Sequence, residues 1–377
     1  MPFLLHLSEL KLRLFRNLGV QELSFPEEGV AIVGPNAQGK SNLLEAIYYL
    51  EIFRSFRGSK PQNLVAFGED VFRVEGSIES GEGGKLATQI VAAYETSSRR
   101  RRITINGDQP ARVGDAIGHL AAVVFSPADV GIIDAGPSAR RRYLDVLLSL
   151  NREGYLGSLQ TYKHILAQRN ASLRSSADMM AVRAWDDSLA RSASEIMIAR
   201  ADWVKERSGD FRRYYEMISG KISASMSYVS KVAIEDWNRE QVYSKCLQVL
   251  EESWSRDIFR KNTSQGPHLD ELLLTLQEGR TLGEIREIGS GGQRRTAALA
   301  LRLIEGDTIL GSRGVQPILL LDDAFAELDD GRRERVLSLM DQDRFGQVIM
   351  TAPKESDVQI HGENLYQWGI RDGKIYA

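Results

Sequence analysis

Apolar and charged positions alternate through Glu9-Leu10-Lys11-Leu12-Arg13-Leu14-Phe15, the period of a strand with one wet face. Leu23 to Phe25 is placed to pair back on it before Pro26, which has no amide hydrogen, stops the ladder. Val30-Ala31-Ile32-Val33 is apolar throughout, the pattern of a strand buried on both faces, and Asn42 to about Phe53 continues as a helix. From Val71 to Ile105 the period of two returns in three short runs, Phe72–Gly76, Ala87–Tyr94 and Arg102–Ile105. Gly81 to Gly84 reads as a flexible turn and Asn106-Gly107 as a hairpin signal, so this stretch predicts an antiparallel lobe.

Ala121-Ala122-Val123-Val124-Phe125 predicts another buried strand, ended by Ser126-Pro127-Ala128-Asp129, and a helical region then runs to about Gly220. Tyr155, Leu159, Tyr162, Leu166 and Leu173 form an apolar seam, which Trp185, Leu189, Ile196 and Trp203 continue on a second long helix. Aromatics at that spacing are core residues before they are base-stacking platforms. Two antiparallel helices joined near Ser175-Ser176 suffice, and they are far too short for a long coiled-coil arm. A strand near Ser223 to Val232, a helix from Asn238 to Trp254 and the loop Thr263–His268 lead back to the first fold. The expected division is an N-terminal lobe over 1–125, a helical insertion over 126–255 and a C-terminal lobe over 256–377.

The 377 residues are 42% hydrophobic and 26% charged, a balance that excludes disordered and fibrous classes. Formal net charge is −3, so any nucleic-acid contact must come from a local basic patch. The candidates for DNA contact are Arg57, in Arg54-Ser55-Phe56-Arg57, and the run Arg99, Arg100, Arg101 and Arg102, with Arg112 beyond. A charge run is equally what a solvated face carries. The single cysteine, Cys246, leaves no internal disulfide, and His268 lacks partners for a zinc site. No apolar stretch approaches the length of a membrane span and Met1 to Leu7 lacks an export signal, which predicts a soluble cytoplasmic protein with no membrane partner.

Against this background one stretch carries chemistry. Gly34-Pro35-Asn36-Ala37-Gln38-Gly39-Lys40-Ser41 follows a buried strand and opens a helix, the setting that a GxxxxGK[ST] phosphate loop requires. The glycines let backbone amides wrap a polyphosphate, the helix start adds its positive end, Lys40 supplies a point charge and Ser41 can hold Mg2+. The nucleotide-binding candidates are Gly34, Asn36, Ala37, Gln38, Gly39, Lys40, Ser41 and Asn42.

A second anion site is predicted where Ser290-Gly291-Gly292-Gln293 precedes the Ala- and Leu-rich helix from Arg294 to Glu305. Pro317-Ile318-Leu319-Leu320-Leu321-Asp322-Asp323 has the Walker B pattern, with Asp322 for the magnesium shell and Asp323 to orient or deprotonate the attacking water. Ala326-Glu327-Leu328-Asp329 follows as a D-loop, with Asp329 as its aspartate, and Gln347–Thr351 is a strand ending where a γ-phosphate sensor would sit. In this order the motifs specify an α/β fold, an ABC-type P-loop ATPase head with a mixed sheet core and an antiparallel β lobe, carrying an inserted helical domain. The signature of one subunit then acts in trans on the ATP of another. The alternative, a nucleotide-binding subunit of an ABC transporter, predicts a histidine after the Val348 strand and a glutamine in the loop after Phe125. The chain has Thr351-Ala352 and Ser126-Pro127 there.

Outside the ATPase motifs the sequence resembles the bacterial RecF family over nearly its whole length. The resemblance rests on Phe15-Arg16-Asn17, Asn42–Ile47 with Arg54–Arg57, Phe125-Ser126-Pro127, Pro137–Asp145, Gln168-Arg169-Asn170, Gly266-Pro267-His268, and Asp322-Asp323 with Glu327-Leu328-Asp329. It implies an ATP-dependent homodimer with weak ATPase activity that binds single-stranded, gapped or junction DNA. It also implies work with RecR and RecO in loading recombinase, a part in replication and the SOS response, and a nucleoid-associated place in the cytoplasm. Three departures stand out: Ala37 where the family commonly has glycine, Leu269 where arginine is usual, and Gly289 where another small residue is more frequent.

Overall fold

The strand β1 (Phe3–Arg13) changes phase midway, burying Leu5 and Leu7 and then Leu10 and Leu12. Strict alternation forbids such a switch from odd to even positions. A bulge between Leu7 and Glu9 absorbs the extra residue, so one strand serves the same core at both ends. β2 (Val20–Ser24) pairs back on β1 antiparallel, Leu23 opposite Leu10, while β3 (Gly29–Val33) enters a second sheet. Helix α1 (Lys40–Ile52) is buried at every position from Leu43 to Glu51, because it is enclosed between the two sheets instead of lying on a surface.

β4 (Val71–Ser80), β5 (Leu86–Glu95) and β6 (Arg100–Ile105) complete the antiparallel sheet in the order β2-β1-β4-β5-β6. Where α1 presses on this sheet only glycine fits, since a Cβ on Gly76 would lie 2.5 Å from the Leu50 side chain. Phe15, Tyr49 and Phe72 meet edge to face, with centroids 5.2 Å apart for Phe15–Phe72 and 5.4 Å for Tyr49–Phe72. Such pairs contribute about 0.5–1.5 kcal/mol each beyond burial. The hairpin signal at Asn106-Gly107 needs correction. Both residues take the left-handed angles of a tight turn (φ 52° and 89°), yet the turn returns only to a single bridge between Ile105 and Asp108. Pro110 follows, with no amide to extend a ladder, and β5 and β6 are joined instead through Thr96–Arg99.

β7 (Ala122–Phe125) is followed by α2 (Pro137–Asn151), α3 (Tyr155–Ser175), α4 (Asp186–Ser219), β8 (Ser223–Val229), α5 (Arg239–Glu252), β9 (Glu271–Glu278) and β10 (Thr281–Glu284). Then come α6 (Gly291–Arg313), β11 (Val315–Gln316), β12 (Ile318–Asp322), α7 (Asp330–Met340), β13 (Val348–Ala352), β14 (Tyr366–Arg371) and β15 (Lys374–Tyr376). The second sheet runs β15-β14-β3-β13-β12-β7, parallel except for β15 on its edge. The computed structural model describes residues 3–80, 86–175, 179–220, 222–279, 281–324, 328–340, 344–358 and 365–376. The expected turn at Gly81–Gly84, most of the Ser175-Ser176 junction and Ala326-Glu327 lie outside these residues.

Two compact units result, residues 1–129 with 301–377, and residues 130–300. The strands β8, β9 and β10 form their own antiparallel sheet, so the second unit reaches past the expected boundary at 255 and takes in Ser290–Gln293. Within it α3 and α4 run antiparallel, tied by Arg169 to Asp186 (2.8 Å) near one end and Arg200 to the Tyr155 hydroxyl (3.1 Å) near the other. Ile165 and Arg169 take the buried turn of the seam where Leu166 was expected. Arg169 is tolerated there because Asp186, Asp257 and Thr263 surround its guanidinium. His268 is structural, held by the Tyr162 hydroxyl at 2.6 Å and the Thr263 carbonyl at 3.1 Å, and burial lowers its pKa toward the neutral form.

Candidate nucleotide site

β3 delivers Gly34 against Ala352 and β14, where a Cβ would lie 2.6 Å from the Ile370 carbonyl. The loop then climbs to Gly39, whose φ of 110° suits glycine and whose Cβ would meet the Asn17 side chain at 2.7 Å. Ala37 takes φ 66°, a left-handed angle that favours glycine. Among the described residues the amides from Asn36 to Ser41 have no acceptor within the protein, so they form the donor nest of an anion site at the start of α1. Lys40 is buried and donates to the Gly34 carbonyl (2.7 Å), the Pro35 carbonyl (3.1 Å) and Asn36 Oδ1 (3.4 Å), so its ammonium arches over the same loop.

Parallel pairing of β12 with β13 sets Asp322 opposite Thr351, and β13 in turn pairs with β3. Ser41 Oγ donates to Asp322 Oδ1 at 2.6 Å across this arrangement. Burial raises the pKa of Asp322, reinforced by the neighbouring Asp323 and opposed by the Ser41 hydrogen bond. Asp323 sits at φ 45°, and its amide donates to Thr351 Oγ1 at 3.1 Å. The Thr351 hydroxyl lies 3.3 Å from Asp322 Oδ1 and 3.5 Å from Asp323 Oδ1, so one side chain spans both carboxylates. A hydroxyl and a carboxylate at this spacing are hard oxygen donors that suit Mg2+. No group of three or more acidic, histidine or cysteine side chains placed to hold a metal ion is found among the described residues, so a cation here needs phosphate or water to complete its shell.

Sequence reasoning missed the surroundings of the loop. Asn17 Nδ2 donates to the Gln38 carbonyl (3.2 Å) and Asn42 Nδ2 to Asn17 Oδ1 (2.8 Å). The turn between β14 and β15 clamps the same residue, with the Asp372 amide on Gln38 Oε1 (2.6 Å) and the Gly373 amide on the Gln38 carbonyl (3.0 Å). Arg16 reaches the buried Glu45 at 2.9 Å. An open groove of about 470 Å³ beside Asn42 is lined by Arg16, Asn17, Gly19, Val65, Ala66 and Phe67, and Phe67 is fully exposed. The only sequence signals were Phe15-Arg16-Asn17 and the turn pair Asp372-Gly373.

Other expected residues fall elsewhere. Arg57, a DNA candidate, donates to Asn42 Oδ1 at 3.2 Å and so belongs to the loop's surroundings. Arg101 sits on the inner face of the antiparallel sheet near the buried Tyr49, whereas Arg99, Arg100 and Arg102 are exposed. Asp329 begins α7, accepting the Arg332 amide at 2.9 Å. In the second unit Ser290 begins α6 through a reciprocal cap: its amide donates to Gln293 Oε1 (2.7 Å), and the Gln293 amide donates to Ser290 Oγ (3.3 Å). Gln293 is buried, while Ser290 and Gly291 are exposed.

The phosphate loop after β3, the paired carboxylates after β12 and the antiparallel lobe over α1 define an ABC-type P-loop ATPase head. Residues 6–374 match the family described as RecF/RecN/SMC N terminal domain. The chain is 34% identical over 372 residues to the DNA replication and repair protein RecF of Streptococcus pneumoniae strains P1031 and 70585, covering 98% of each protein. It superposes on the structure of the recombination mediator protein RecF-ATP in the RecFOR pathway with a TM-score of 0.88 at 32% identity, covering 99% of both chains. The RecF-ATPrS structure gives 0.87, covering 100% of this chain and 98% of the other. An Smc head domain with an extended coiled coil, derived from Pyrococcus furiosus, shares the fold at 18% identity and a TM-score of 0.57. The chain belongs to the RecF family. No helix among the described residues is long and apolar enough to cross a membrane.

Proposed function

We propose that this protein is an ATP-switched DNA-binding protein of recombinational gap repair, working with RecO and RecR. Two copies close on ATP, each copy holding the nucleotide on its own phosphate loop and lending Ser290–Gln293 to the nucleotide of the other. The observation that carries this reading is a complete phosphate cradle in one unit together with an exposed, pre-capped Ser290-Gly291 helix start in the other.

In this scheme the amides of Asn36 to Ser41 and the Lys40 ammonium bind the phosphates, and the groove beside Asn42 takes the base, with Phe67 and Arg16 on its walls. Ser41 and Asp322 would hold Mg2+, which when bound neutralises charge on the phosphate oxygens. Asp323 orients the attacking water while Thr351 keeps its backbone and carboxylate in place. Asp323 is one methylene shorter than a glutamate would be, and turnover below about 1 s⁻¹ is expected, a rate that suits a timer. Loading of recombinase, a role in SOS induction and a nucleoid-associated place in the cytoplasm complete the proposal.

Titration with a fluorescent ATP analogue tests the site. Lys40→Met is expected to abolish binding, and Phe67→Ala to weaken it by roughly tenfold, within the 1–3 kcal/mol that an aromatic stacked on a base contributes. Wild-type affinity in Lys40→Met would contradict the assignment.

A further inference from the structure

The outer face of the antiparallel sheet carries arginines in register. Arg13 on β1 lies directly opposite Arg73 on β4, Arg73 opposite Ala93 on β5, and Ala93 opposite Arg102 on β6. All three arginines are exposed, and Ala93 leaves space between them. Like charges set directly opposite one another on a sheet are destabilising, so this row favours folding less than a neutral one would.

Carboxylates on the same face neutralise the middle of the row, where Arg73 holds Glu75, and leave Arg13 and Arg102 at its two ends unpaired. In the next row Lys11 takes Glu22 at 3.5 Å, and also reaches Glu9 at 3.3 Å, while Glu75 is held by Arg73 at 2.7 Å and by Gln89 at 2.6 Å. At the other end Glu95 lies opposite Arg100 without an ion pair between them and accepts from Ser98. Among the described residues Arg13, Arg99, Arg100 and Arg102 have no acidic partner. Strands are spaced about 4.8 Å apart, so the row from Arg13 to Arg102 extends about 14 Å, enough to meet more than one phosphate of a single strand.

We infer that Arg13, Arg73 and Arg102, with Arg100 at the margin, form a track for the phosphate backbone of a nucleic-acid strand laid across the strands of this sheet. The track reads no sequence, because guanidinium groups on a flat sheet reach phosphates and not base edges. Arg13 and Arg73 lie far from the basic run Arg99–Arg102 in sequence, and register alone brings them beside it. Arg101 faces the other way and takes no part.

The inference rests on the proposed DNA binding, and anisotropy of a labelled single-stranded oligonucleotide with ATP across a KCl series separates the two. Arg13→Gln/Arg102→Gln is expected to weaken binding at least tenfold near physiological salt and to flatten the plot of log affinity against log salt by about 1.4, at 0.7 per lost contact. Arg13→Lys/Arg102→Lys keeps the wild-type slope. Arg212→Gln/Arg213→Gln, which removes equal charge from exposed positions of the other unit, also keeps it. The melting temperature of the glutamine variant is expected to be no lower than that of the wild type, since a like-charge pair is relieved. Wild-type binding with an unchanged slope in the glutamine variant overturns the track while leaving the DNA reading intact, as does an equal loss in the Arg212/Arg213 control. A wild type that does not bind overturns the DNA reading itself.

Discussion

Ala37 holds φ at 66° in the phosphate loop, a region that costs a residue with a Cβ about 1–2 kcal/mol. Glycine removes that strain but adds about 0.4–1 kcal/mol of chain entropy to the unfolded state. Ala37→Gly is therefore expected to stabilise the protein by up to about 1.6 kcal/mol in a denaturant melt, and a clear loss of stability would show that the loop is unstrained. Glu51 is a second residue whose environment departs from its type. Burial pushes its carboxyl up to about 8, partly offset by the Arg313 guanidinium, the Ala122 amide at 3.2 Å and Arg302, with Glu305 raising it further. A carboxyl with a raised folded-state pKa stabilises most below its ordinary value of 4.5, and that contribution is lost as pH rises to about 8. The stability of Glu51→Gln relative to wild type should then rise between pH 6 and pH 9 by on the order of 2 kcal/mol. A gap independent of pH would mean that Arg313 already neutralises the carboxylate. The placing of Lys40 over its loop and of Ser41 beside Asp322 was legible in the sequence, because the motif spacing defines it. The burial of Glu51 and the inward turn of Arg101 were not, because they depend on which face of an element meets the core.

Strands and helices were legible wherever an apolar run was bounded by a turn or a motif, as in β3, α1, β7 and β12. What the chain hid was register. β1 carries a bulge that no alternation rule places, and the meeting of Asp322 with Thr351 depends on how β12 and β13 align after a separate helix, α7, has intervened. That alignment gives Thr351 a task that its sequence position only hints at. Thr351→Val removes the hydroxyl spanning the two carboxylates, so turnover is expected to fall about 10- to 100-fold while ATP affinity changes little, in line with about 1.5–3 kcal/mol for a hydrogen bond to a charged group. Thr351→Ser should restore most of the rate. A Thr351→Val enzyme with wild-type turnover would place the orienting role elsewhere.

At the scale of the molecule, the chain builds two units from an interrupted sequence, with α6 starting in the second and ending in the first. The order of motifs revealed the ATPase head. It did not reveal that the three-stranded sheet β8, β9 and β10 joins the helices, because β8 and β9 pair across α5 and the segments on either side of it, and a pairing over that separation leaves no local trace. Ser290 is exposed at its helix start with its capping bonds already made, and in the proposed dimer it meets the triphosphate of another copy. Sedimentation of the wild type and Ser290→Arg with and without ATP tests this most directly. The account predicts a wild-type dimer with ATP and a monomer without it, and a Ser290→Arg protein that binds ATP yet stays monomeric. A Ser290→Arg dimer with ATP, or a wild type that remains monomeric when saturated with ATP, would contradict it.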